Sequence, residues 1–281
     1  MSEPLDVDTL RGWIGRTNEV SDLVTARAVR EMRATLNRDP GDPAPGDEAT
    51  LTAHWCLSPI TVEMDRLGPD GHPARGGFLP PVPLPRRMWA GGALTFHDAL
   101  RVRDEARRLS RIEDVVVKEG RTGTLCFVTV AHNIYTPRGL AIVERQDIVY
   151  RGVDAPAGGA GKSEPPPVAT WQEEVDTSPV LLFRYSAVTF NGHRIHYDRT
   201  YCQQEEGYPG LVVHGPLQAT LLVEFAARLL GRPLNHFAFR SVRPIFDGQP
   251  MRLNAKQGGQ GLELWTSSGD DGRPCMIAEA N

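Results

Sequence analysis

Between Phe190 and Gly215 the sequence reads FNGHRIHYDRTYCQQEEGYPGLVVHG, and residues able to do chemistry are concentrated there. His196 is the candidate acid/base, because an imidazole changes charge near neutral pH. Asn191 lies five residues earlier. Its amide cannot serve as a base but can fix a water molecule or orient an imidazole. Gly215, just ahead of Pro216, stands at the start of an expected helix, where a backbone N–H points out of the positive end and can stabilise an oxyanion. An acid/base, a water-holding amide and an oxyanion donor together suit proton transfer at a carbonyl compound. The plainer reading of His196 is a hydrogen-bonded loop histidine.

The neighbours have weaker signals. His193 and His196 are three apart, but no further Cys, Asp or Glu completes a familiar ligand pattern, so no metal is expected. His214 is expected to shape the turn before the helix. Asp198 could orient an imidazole, serve as an acid, or cap a helix. Tyr197 and Tyr208 either line a substrate tunnel or simply pack.

Periodicity indicates the elements that position this loop. Val24, Ala28, Met32 and Leu36 give one amphipathic helix ending near Asn37. After a Pro/Gly-rich region, Gly68 to Pro85, the runs Ile112 to Lys118, Thr124 to Tyr135 and Leu140 to Tyr150 predict an antiparallel meander. Leu181 to Phe190, LLFRYSAVTF, reads as a strand entering the histidine loop, with Arg184 on the same face as Ser186, Val188 and Phe190. Leu217 to Leu230 is apolar almost all round, with Pro216 suited to its first turn and Gly231 to its end, which predicts a buried helix. Strands are predicted over His236 to Phe246, Met251 to Gln257, Leu262 to Ser267 and Cys275 to Ala280. A buried helix wrapped by an antiparallel sheet is the hotdog arrangement.

The 281 residues allow one large domain or two. A dense Pro/Gly stretch predicts a linker at 152–169 between an N-terminal repeat, 1–151, and a C-terminal repeat, 170–281. Its GAGKS does not make a phosphate-binding loop, because Pro156 stands where such a loop has glycine and prolines follow in place of a helix. Apolar residues make up 40% and charged residues 23%, ordinary for a folded protein. Thirty-one basic residues against 35 acidic ones, with no basic block, argue against nucleic-acid binding. No apolar run is long enough to span a membrane. The acidic N-terminus lacks a secretory pattern, so the expected compartment is the cytoplasm. The four cysteines, widely spaced, are expected to be buried free thiols.

The stretch Asn191-Gly192-His193-Arg194-Ile195-His196 resembles the hydratase signature of the MaoC-like family, Gly-Asp-x-Asn-Pro-(Ile/Leu/Val)-His followed by a His-Gly at a helix start. Ile195 and His196 match; the family's acid falls on Asn191, and its Asn and Pro positions carry His193 and Arg194. FNGHRIHYD with EGYPGLVVHGPL is similar to a narrower branch, the type 2 hydroxyacyl-thioester dehydratases and bacterial mesaconyl-C4-CoA hydratases, which carries Asn at that position. RRMWAGGALTF (Arg86 to Phe96), IEDVVVKEGRTGTLCFVTV (Ile112 to Val130) and ERQDIVYR (Glu144 to Arg151) resemble that branch's degenerate first repeat.

The resemblance implies an α+β tandem hotdog, each repeat an antiparallel sheet wrapped around a central helix, with the catalytic loop in the second repeat only. It implies reversible hydration of a 2-enoyl thioester by a hydro-lyase. His196 would be the acid/base, Asn191 the water-positioning amide and Gly215 the oxyanion donor. The lead reaction is mesaconyl-C4-CoA to citramalyl-CoA; a fatty-acid-type 3-hydroxyacyl dehydratase, a hotdog thioesterase and a non-catalytic acyl-CoA binding subunit are the alternatives. Coenzyme A enters as part of the substrate, an acyl carrier protein being the other candidate carrier, and no separate cofactor is expected. A homo-oligomer is compatible with this reading. Arg86, Arg87, Arg240 and Arg243 are the candidates for carrier phosphates, and Arg184 and Arg194 for the free carboxylate of a dicarboxylic substrate. His193, Tyr197, Tyr208 and His214 complete the expected substrate-binding set.

Overall fold

The structure, a computed structural model, describes residues 5–120, 123–152, 165–269 and 271–281. Its first half carries α1 (Val7–Arg11), β1 (Thr17–Leu23), α2 (Ala26–Thr35), β2 (Arg86–Phe96), β3 (Glu105–Gly120), β4 (Gly123–Thr136) and β5 (Gly139–Arg151). The second carries β6 (Trp171–Val175), α3 (Pro179–Val188), α4 (Arg199–Gln204), α5 (Gly215–Leu230), β7 (His236–Ser241), β8 (Met251–Gln257), β9 (Leu262–Ser268) and β10 (Pro274–Ala280).

All ten strands join one antiparallel sheet in the order β1-β3-β4-β5-β2-β7-β10-β9-β8-β6. Reading outward from its middle, each half repeats one connectivity, β2-β5-β4-β3-β1 and β7-β10-β9-β8-β6. The halves meet at a seam where β2 pairs β7 from Gly91↔Arg240 to Thr95↔His236. This is the expected tandem hotdog, with both repeats in one sheet.

α5 forms where the sequence places it. Pro216 fills the first turn, where its missing N–H costs nothing, and Gly231 closes the helix at φ 62°, a left-handed conformation that glycine adopts freely. Every residue from Leu217 to Ala226 is buried. Full burial of each large apolar side chain contributes about 1.5–3 kcal/mol, so the position of α5 is fixed mainly by packing. Leu222→Ala alone would open a cavity costing about 2–5 kcal/mol.

One hydrophobic core runs through both halves. It joins Val29 and Met32 of α2, Leu94 and Phe237 at the seam, Leu182 and Tyr185 of α3, and Leu217 and Leu222 of α5. A smaller cluster under β3–β5 holds Ile112, Cys126, Val128 and Tyr150. The Glu224 carboxylate of α5, itself buried, pairs with Arg38 and accepts the Leu51 N–H at 3.0 Å, tying the helix to the first half.

Two sequence expectations change. Leu181 to Phe190 is not a strand: α3 occupies it, burying Leu182, Tyr185 and Ser186 at helical spacing. Its β-branched and aromatic residues mimic a strand, but Ser178 caps the helix and Pro179 sits in its first turn. The strand expected to reach Phe246 ends at Ser241; Val242 N–H and Arg243 N–H both turn to the Cys275 carbonyl, and Pro244 has no N–H for a ladder. Residues 153–164 of the expected linker, including its GAGKS, lie outside the described residues. Among the described residues no helix is long and apolar enough to cross a membrane. All four cysteines are free; Cys126, Cys202 and Cys275 are buried, whereas Cys56 is half-buried.

Candidate active site

α3 delivers the histidine loop through its C-terminal cap. Phe190 N–H bonds the Ala187 carbonyl and Asn191 N–H bonds the Ser186 carbonyl at 2.8 Å, the paired bonds of a Schellman motif. Phe190 takes the left-handed position at φ 52°, which costs a non-glycine residue about 1 kcal/mol. That cap aims Asn191 back over the helix end, and its Oδ1 accepts the His193 N–H at 3.0 Å. The Asn191 amide nitrogen therefore remains as a donor.

His196, on a single 3₁₀ turn (Arg194–His196), is 6% exposed. Its Nδ1 lies 2.7 Å from the Val212 carbonyl. A carbonyl can only accept, so Nδ1 carries the hydrogen and Nε2 presents a bare lone pair. Burial, with the neighbouring His193 charge second, pushes the imidazole down to about 3, so it is neutral across the physiological range.

His214 stacks on His196 at 3.5 Å with the rings 18° from parallel. It is fully buried, its Nε2 is 2.9 Å from the Ser186 hydroxyl, and its Nδ1 has no partner. Burial, then the His196 charge, lowers its pKa as well. His214 stands at the N-cap position of α5 without a side-chain capping bond, and the next residue, Gly215, has an N–H without a hydrogen-bond partner among the described residues. The neutral His196 imidazole thus stacks on the residue that precedes a free donor at a positive helix end.

The first half supplies two residues that the sequence reading passed over. The loop Gly68–Pro73 docks on the histidine loop: the Arg194 N–H bonds the Asp70 carbonyl at 2.9 Å. A Cβ on Gly71, at φ 85°, would lie 2.0 Å from the Gly192 carbonyl oxygen, so only glycine permits this approach. The His72 ring sits 4.1 Å from His193, which is 5.4 Å from His196. Asp70 accepts from the His72 N–H at 3.0 Å and from its Nδ1 at 3.2 Å. Burial lowers both His72 and His193. Despite burial that opposes it, bonding to His72 holds Asp70 well below the usual carboxylate range. Donor atoms of Asp70, His72 and His193 lie within 4.8 Å of one another, making them the group among the described residues that could hold a cation. The signal in the sequence was a repeated tripeptide, Asp70-Gly71-His72 against Asn191-Gly192-His193.

Other expected site residues stand elsewhere. Arg184 is exposed on α3, so its inward placement on a strand is corrected. Arg194 is engaged by Asp198 at 2.8 Å and by the Pro69 carbonyl at 3.0 Å, and stacks over Tyr201. Asp198 caps α4 by accepting the Tyr201 N–H, the capping role considered from sequence. Tyr197 is half exposed, its hydroxyl donating to the Gly192 carbonyl at 3.0 Å, so it braces the loop from outside. Tyr208 packs on Phe246 beneath the Arg86 guanidinium. A groove of about 410 Å³ lined by Arg145, Arg240, Lys256 and Ile277 opens beside the seam, apart from the histidines.

The family described as hydroxyacyl-thioester dehydratase type 2 matches residues 52–247. The chain is 46% identical over 267 residues to the mesaconyl-C(4)-CoA hydratase of Chloroflexus aurantiacus, covering 95% of each. In structure it is similar to a MaoC-like dehydratase from Phytophthora capsici, with TM-score 0.71, 14% identity and 98% of each chain covered. It is also similar to a Mycobacterium tuberculosis protein described as having a double hotdog fold, with TM-score 0.54, 13% identity and 95% of each chain covered. With the histidine loop, the helix start behind it and a match over most of its length, the chain belongs to the type 2 hydroxyacyl-thioester dehydratase family.

Proposed function

We propose that the protein is an enoyl-thioester hydratase that adds water reversibly across the double bond of a 2-enoyl-CoA, with mesaconyl-C4-CoA, giving citramalyl-CoA, as the lead substrate. The observation that carries this reading is the neutral His196 imidazole, its Nδ1 bound to Val212 and its ring stacked at the start of α5. His196 Nε2 takes a proton from water as the water oxygen bonds to Cβ; the electron pair of the double bond moves toward the thioester oxygen; the same imidazolium then delivers its proton to Cα. The Gly215 N–H stabilises the enolate oxygen, and the Asn191 amide holds the water. The developing enolate charge favours the imidazolium as it forms, offsetting the burial that keeps the resting ring neutral.

Hydrolysis of the thioester fits less well. It calls for a carboxylate in the loop, where this chain has Asn191, and the nearby Asp70 and Asp198 are already committed to His72 and to Arg194 with the α4 cap. Family membership favours a second reading on the same site, dehydration of an unsubstituted 3-hydroxyacyl thioester carried by CoA or a carrier protein.

The test is loss of the enoyl-thioester absorbance on a panel of enoyl-CoAs, with mass detection of a product heavier by one water and a free-thiol assay. Hydration without thiol release is expected, and His196→Ala should lower kcat/KM by about 10²-fold or more while circular dichroism stays native. Thiol release, or a His196→Ala enzyme with near-normal turnover, overturns the assignment.

A further inference from the structure

Arg87 is the cation left over at this site. It lies in β2 directly opposite Tyr150 of β5, and cross-strand partners share a face of the sheet. Tyr150 is buried in the core under that face, so Arg87 points to the helix side, as does Trp89, two residues on. Among the described residues no carboxylate lies within ion-pair distance of Arg87, whereas its neighbour Arg86 is paired with Glu206 at 3.2 Å. Its charge reaches both His72 and His193, and its guanidinium is within hydrogen-bonding reach of the Tyr150 phenol. Asp70, the nearest acid of the cluster, is satisfied by two bonds from His72.

We propose that Arg87, on the helix side of β2, binds a carboxylate carried on the β-carbon of the acyl thioester, so that the substrates of this site are dicarboxylic monothioesters. The proposal rests on the hydratase reading, because it is the attack of His196-bound water that fixes where the β-carbon sits. Reacting atoms approach to about 3–3.5 Å, so the β-carbon lies close to the water on His196. A group attached directly to that carbon then arrives on the side of the His193 ring, 5.4 Å from His196 and next to His72. A planar carboxylate fits a guanidinium fork through two parallel bonds. Arg87 also supplies beside Asp70, His72 and His193 the positive charge that a metal would otherwise bring. Neither arginine expected from sequence to hold the free carboxylate can take this place: Arg184 is exposed on α3, and Arg194 is held by Asp198 and Pro69.

Succinyl-CoA and butyryl-CoA test this without turnover, since the two differ by a carboxylate in place of the terminal methyl on the β-carbon and neither has a double bond to hydrate. Dissociation constants are measured by calorimetry on the full chain before and after EDTA treatment. Wild-type protein should prefer succinyl-CoA; Arg87→Leu should weaken succinyl-CoA by about 10- to 100-fold and leave butyryl-CoA within about twofold, the range for loss of a charged hydrogen-bonded pair. Arg87→Lys should fall between, keeping the charge but not the fork. Unchanged butyryl-CoA binding shows that each variant is folded. A wild-type preference for butyryl-CoA, loss of the succinyl preference on EDTA treatment, or an Arg87→Leu protein that still discriminates overturns the proposal. Failure of the hydratase reading shows separately, as wild-type protein that binds these thioesters but hydrates no enoyl-CoA.

Discussion

The two halves of the sheet are wired alike but filled differently. In both, the first strand lies at the outer edge, the second at the seam, and the last three pack between them. Directly after its first strand each half turns into a ten-residue helix, α2 behind Thr25 and α3 behind Ser178, and these two helices touch. Beyond that point the second half builds α5 and the histidine loop, whereas the first makes only short 3₁₀ turns, at Ala53–Cys56 and Met64–Arg66, before reaching β2. Each half therefore covers a different requirement. The second holds His196 and the start of α5; the first holds the loop with Asp70 and His72 that docks on the histidine loop, and the strand that carries Arg87.

Separating the halves is the strongest test of that division. A fragment of residues 170–281 would uncover the β7 edge and the face of α5 that Glu224 ties to Arg38 and Leu51. It is expected to be insoluble, or soluble without hydratase activity, as read by gel filtration and the absorbance assay. A soluble fragment with full activity would show that the first half is dispensable.

A smaller effect is expected where the two tripeptides meet. Gly71→Ala places a methyl against the Gly192 carbonyl in a left-handed conformation, whereas Gly139→Ala, at φ 121° in the β4–β5 turn, meets nothing within 4 Å. Both should lose about 1–3 kcal/mol to backbone strain by urea titration, but only Gly71→Ala should also lower kcat/KM, by about tenfold, because it moves the loop under His193. Equal activity in the two variants would mean that docking of the first-half loop does not matter to the site.

The smallest expected effect is in the pH dependence of stability. His196 titrates near 6.5 unfolded and about 3 folded, so between those values the unfolded chain binds the extra proton and stability falls as pH drops. His193 and His214 add to this in the same direction. Replacing His196 with Gln should flatten the slope of unfolding free energy against pH between about 4 and 6 by up to about one proton. An unchanged slope would show that the buried imidazole is not held neutral.

What the sequence made legible was local. Pro216 and Gly231 bracket α5, alternating runs mark β8 to β10, and the sequence picks out His196, which the structure stacks on His214 at the head of α5. α3 was hidden because its composition suits a strand, and only Ser178-Pro179 at its head says otherwise. Asp70 and His72 were hidden for another reason, and Arg87 was legible only as a candidate for the carrier phosphates. They are far from the histidine loop in the chain, inside or beside a Pro/Gly-rich region, and reach it only through a glycine-to-glycine contact and a strand register. Arg194 drew attention by proximity in sequence, yet its guanidinium faces Asp198 one helical turn away.

A sheet that runs in one order from β1 to β6 has two free edges, and both are acidic. Glu19 and Asp22 lie on β1, and Glu173 and Glu174 on β6. Glu19 pairs with Arg107 and Glu174 with Arg252, both on the neighbouring strand inside the sheet, and Glu173 pairs with Arg228 of α5. When the outer strands of two copies approach, they bring like charges together before any backbone bond can form. The seam shows that strands of the two halves pair edge to edge in one sheet; the same pairing between molecules would propagate into a ribbon. Acids on both rims therefore oppose such growth, and replacing Glu19, Glu173 and Glu174 with Gln is expected to raise self-association, as read by gel filtration.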